Sequence, residues 1–104
     1  IMKWSQETKV NVPDGELGIF IKKEENLGIV IFASLERPCK IEELIGARLI
    51  AIDKITVNDL EPWMVAEMMK MKKNKILTVI KNSIPVAREI LTAPIVFNAN
   101  FVII

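Results

Sequence analysis

Between Lys9 and Lys81, short apolar runs alternate with turn punctuation, and a single segment carries the spacing of an amphipathic helix. A chain patterned this way is expected to be mostly strand. Thr8–Val12 reads as a first strand, stopped by Pro13-Asp14-Gly15, where proline fixes one dihedral and glycine supplies a positive φ. Leu17–Lys22 and Leu27–Ser34 follow, joined by the polar connector Lys23–Asn26. The run Ile29-Val30-Ile31-Phe32 lacks strict alternation, so this third strand is expected to be central and covered on both faces. Ile41–Ile45 can turn once or twice as a helix ended by Gly46. Arg48–Asp53 is a fourth strand, Lys54–Val57 holds a very short fifth, and Lys75–Lys81 closes the series. Ahead of that last strand, Asn58 or Asp59 caps a helix with Pro62 in its first turn, expected to reach about Lys73.

Composition narrows the chemistry. The 104 residues suit one domain, and a hydrophobic fraction of 51 % supplies a core. No histidine is present, which removes Ser-His-Asp and Cys-His catalysis and imidazole metal ligation together. No enzyme activity, metal or cofactor is expected. Fourteen Lys and Arg against thirteen Asp and Glu leave a net charge of +1, too little to draw nucleic acid from solution. The single cysteine, Cys39, allows no intrachain disulfide and fits a reducing, cytoplasmic setting. No apolar run is long enough to cross a bilayer, and the N-terminus lacks the order of a secretion signal. Residues 1–82 read as one domain with its core in 8–81. Residues 83–104 read as a hydrophobic tail with β-prone patches at Ile95–Phe97 and Phe101–Ile104.

Four local features, in order along Gly15–Lys81, resemble the PDZ domain family. Glu16-Leu17-Gly18-Ile19 stands where that family has its carboxylate loop. Gly28-Ile29-Val30-Ile31 is similar to the third-strand motif, and Ile45–Asp53 to the segment that follows it. Val65–Lys70 with Leu77–Ile80 resembles the groove helix and last strand. The resemblance implies a mainly β fold with two helices: a partly open five- to six-stranded barrel or sandwich, capped by a short and a long helix. It also implies a non-catalytic module that binds hydrophobic C-terminal peptides by strand addition between the second strand and the long helix.

On that reading the backbone amides of Leu17, Gly18 and Ile19 form a nest for a terminal carboxylate. Leu17, Ile19 and Ile21 line one wall of the groove, with Pro62, Ala66 and Met69 opposite. An all-aliphatic lining favours an aliphatic last ligand residue, each buried Val, Leu or Ile contributing roughly 1.5–3 kcal/mol before ordering costs. The bland reading of the same side chains is ordinary core packing. Departures from the family pattern are Glu16 in the first loop position, Pro62 where a hydroxyl-reading histidine often stands, and Ala47 after Gly46. Lys9 is the nearest candidate for the basic residue that supports the carboxylate.

The tail itself ends in Phe101-Val102-Ile103-Ile104, aliphatic at the last position and two before it, as the groove requires. It is therefore expected either to fill the groove of its own molecule or a neighbour, as a degenerate assembly domain would, or to be a strand without a binding role. A third alternative is a regulatory domain of a larger protease. Lys70, Lys72, Lys73 and Lys75 form a basic cluster that could touch anionic membrane or be a solvated helix end.

Overall fold

In the computed structural model, described for residues 7–15, 17–35, 38–71, 73–85, 87–89 and 101–103, six strands form one antiparallel path. β1 (Glu7–Val12) pairs with β6 (Lys75–Ile80), which pairs with β4 (Arg48–Ile52), then β3 (Gly28–Ser34), β2 (Ile19–Glu24) and β8 (Phe101–Ile103). The two-residue β5 (Ile55–Thr56) hangs from β4, and β7 (Arg88–Glu89) runs parallel to β3. One helix, α1 (Pro62–Met71), is present among the described residues.

This corrects the expected architecture. A partly open barrel or sandwich capped by two helices in the PDZ-like arrangement is not formed: the strands make a single sheet, and the short helix is only a 3-10 turn, Glu42–Leu44. The reason is local. Ile41 offers no side-chain cap, Leu44 and Ile45 donate back only three residues, and Ile45 is already extended at ψ 126°. Gly46 follows in the left-handed region at φ +84°, its carbonyl taken by the amides of Ser83 and Ile84, so the helix ends after this one turn.

α1 also starts later than its capping residues suggest. The Glu61 carbonyl accepts the first helical bonds from Met64 and Val65, while Leu60 donates to Val57 in a preceding turn. Proline then sits at the first helical position, where its missing donor costs nothing. The helix buries Pro62, Val65, Ala66 and Met69 on one face.

Period-two alternation divides the sheet's side chains between two clusters. On the α1 side, Val10, Val12, Ile19, Ile21, Ile29, Ile31, Leu49, Leu77 and Val79 pack with Val65, Ala66 and Met69. On the other side, Phe20, Val30 and Phe32 pack with Ala87, and Leu27, Ile45 and Ile84 lean on them. β3 is covered on both faces, as its unbroken apolar run requires, and every side chain from Ile29 to Ser34 is buried. The covering segment is tied down by the amides of Ser83 and Ile84 on the Gly46 carbonyl and by Ala33 N–H on the Ala87 carbonyl.

Candidate functional site

The outer border of β2 is the element around which the predicted site residues gather. Along β3, Ile31 exchanges bonds with Gly46 and Ala47, and Ala33 donates to Ala87, so these residues turn their backbone groups away from β2. Hydrogen bonding alternates along an antiparallel pair. With the register Phe20↔Phe32, Ile21↔Ile31 and Lys22↔Val30, it follows that Phe20 and Lys22 bond to β3 while Ile21 directs its N–H and C=O outward. A strand is seated there: β8 pairs antiparallel with β2 through Phe20↔Ile103, Ile21↔Val102 and Lys22↔Phe101, and it also lies against α1. The slot between β2 and the helix, expected to be open, is thus filled by the chain's own end. β8 runs with its C-terminal end toward the Leu17–Ile19 turn. Ile104, the residue expected at the carboxylate loop, lies outside the described residues, as do Glu16 and the patch at Ile95–Phe97.

The turn itself is clamped from behind. Gly18 holds φ +76°, and a Cβ there would collide with the Pro38 carbonyl oxygen. Lys40 N–H donates to the Leu17 carbonyl at 3.0 Å, tying the turn to the 38–40 segment. Cys39, half-buried in that segment, packs against the α1-side cluster. Burial pushes its thiol above the ordinary value and the charge of Glu42 adds to this, against a lowering hydrogen bond with the Ile41 backbone and the charge of Arg88. The thiol is held protonated and is a poor nucleophile.

The structure brings Leu17, Ile19, Ile21, Ala66 and Met69 together in one cluster, all nearly fully buried, and Pro62 is buried on the same helix. Lys9 is not gathered with them. It is exposed on β1, opposite Thr78, and β6, β4 and β3 intervene between β1 and β2. The basic cluster is divided: Lys70 and Lys73 are exposed, Lys75 is only 5 % exposed within β6, and Lys72 lies outside the described residues. Trp63, in the first turn of α1, is exposed.

Two features around the slot have no local signal in the sequence. On the face away from α1, the Phe20 and Phe32 rings stack with centroids 5.5 Å apart, and the Lys22 ammonium lies 4.7 Å from the Phe32 centroid. On the α1 face, Lys23 Nζ reaches Glu61 Oε1 at 3.3 Å, joining the far end of β2 to the start of the helix. These partners are 38 residues apart, and only the packing of helix on sheet brings them together.

Among the described residues, no three His, Cys, Asp or Glu side chains gather closely enough to hold a metal ion, and no helix is long and apolar enough to cross a membrane. Comparison with family models, curated proteins and solved structures finds no match.

Proposed function

We propose that this protein is a non-catalytic protein-interaction module. It takes an extended, aliphatic-ended peptide as an added strand on the outer border of β2, beside α1, and its own residues 101–103 compete for that place. The observation that carries the reading is the antiparallel seating of β8 on Phe20–Lys22 against the helix. A border that accepts one short strand offers the same outward Ile21 groups to another of similar chemistry, with main-chain bonds giving affinity and the flanking walls giving selectivity. The direction of β8 supports a ligand whose chain end meets the Leu17–Ile19 turn, where amides can receive a carboxylate. The lone thiol of Cys39 fits a cytoplasmic, reducing setting.

The test is a titration of the full chain carrying Val102→Pro, which removes the donor that pairs with Ile21, with one aliphatic-ended peptide as free acid and as amide. The reading expects binding that weakens about tenfold or more on amidation, the size of losing a charge-assisted hydrogen bond or two. Equal binding of both forms would leave strand addition standing without carboxylate reading. No binding of either would reject the module.

A second reading is favoured by the same pairing: β8 supplied by a neighbouring copy gives the same contacts, making the domain an assembly unit. A mass in solution that rises with concentration and falls to that of the monomer with Val102→Pro would support it.

A further inference from the structure

We propose that Lys23 selects the ligand residue one position N-terminal to the three that pair with Phe20–Lys22, favouring an acidic side chain there, and that Glu61 is the built-in competitor this residue displaces. The inference rests on the strand-addition reading above. In the observed register Lys22 faces Phe101, so in an added ligand strand of the same register the preceding residue stands opposite Lys23. Side chains alternate along β2: Ile19, Ile21 and Lys23 point to the α1 face, while Phe20 and Lys22 point to the other. Directly opposed residues share a face, so the extra ligand side chain enters the gap that the Lys23–Glu61 pair now spans. A ligand side chain at that place therefore competes for this pair, and a ligand carboxylate replaces what it disturbs.

The balance of charges makes the exchange feasible and modest. Both partners are substantially exposed, 37 % for Lys23 and 49 % for Glu61, and an ion pair of that kind holds weakly. A ligand carboxylate can recruit the ammonium without a large penalty, whereas a ligand cation meets Lys23 directly. Lys23 also borders an open depression of about 500 Å³ that it shares with Glu24 and Glu25. Those glutamates oppose an incoming acid. The net preference is a few-fold effect.

The experiment titrates the full chain carrying Val102→Pro with N-acetylated, fluorophore-labelled peptides EFVII, NFVII and KFVII, at low and high salt. The expected order is Glu tighter than Asn tighter than Lys, with about three- to tenfold between the extremes and a spread that narrows as salt rises. Lys23→Gln should flatten the series, and the exchange Lys23→Glu with Glu61→Lys, which keeps a pair across the gap, should invert it. Equal affinities for all three peptides, or an order untouched by both variants, would overturn the selection while leaving strand addition intact. Failure of every peptide to bind would overturn both.

Discussion

Gly18 shows how one position can serve the fold and the site together. Its φ of +76° already disfavours any residue with a Cβ, and the Pro38 carbonyl oxygen fills the space a Cβ would need. Gly18→Ala is therefore expected to cost about 2–4 kcal/mol, a left-handed strain plus displacement of the 38–40 clamp, read as a lower urea midpoint. The sequence marks this glycine as special because a ligand could approach it; the structure adds a neighbour that is the protein's own backbone, which no local motif could announce. Cys39, in the same clamp, is raised in pKa, chiefly by burial. A thiol with a raised folded value keeps its full contribution to stability below its ordinary value and loses it as pH climbs through the folded one. Stability should fall on the alkaline side of the thiol's ordinary range, and Cys39→Ala should remove that part of the slope. Alkylation at pH 8 should likewise be slower for the native chain than for the urea-unfolded chain.

At the scale of elements, the strands from β1 to β6 and the helix were legible because period two and period 3.6 leave direct marks on the order of apolar residues. Ends shifted by one or two residues. Leu17 and Gly18, for example, precede β2 as the clamped turn rather than opening the strand. The segment at Ile41–Ile45 failed as a helix because the stop at Gly46 leaves room for three-residue bonds alone. β7 could not be foreseen, since Arg88 and Glu89 carry no strand pattern and pair through the Ala87 carbonyl on Ala33. Met69 is one of the helix residues buried against the sheet. It is 3 % exposed among core side chains, so Met69→Ala should destabilise by about 2–4 kcal/mol in denaturant unfolding. β8 is expected to behave oppositely. Val102→Pro should raise the affinity for an aliphatic-ended peptide by about tenfold, the scale of what releasing an internal competitor returns.

For the whole molecule, strand order and not strand content decides which surface is available. Because β1 and β2 stand apart in the path β1-β6-β4-β3-β2-β8, Lys9 cannot serve the turn at β2 merely by being near it in sequence. Because Ile84 and Ala87 pack over Phe20 and Phe32 while α1 packs over Ile19 and Ile21, both faces of β2 are covered there, and on the proposed reading a ligand meets the strand at its border. The family resemblance groups Leu17, Ile19, Ile21, Ala66 and Met69 as candidate walls, the structure buries all five in the core, and sequence alone could not say whether the border beside them was open. The most direct measurement is amide by amide: isotope-labelled full chain carrying Val102→Pro, titrated with a free-acid aliphatic-ended peptide while backbone resonances are followed. The account predicts saturable shifts concentrated at Leu17–Lys22 and along α1, with the Ile21 amide gaining protection from exchange. Shifts confined to other strands, or an Ile21 amide as exposed with peptide as without it, would contradict it.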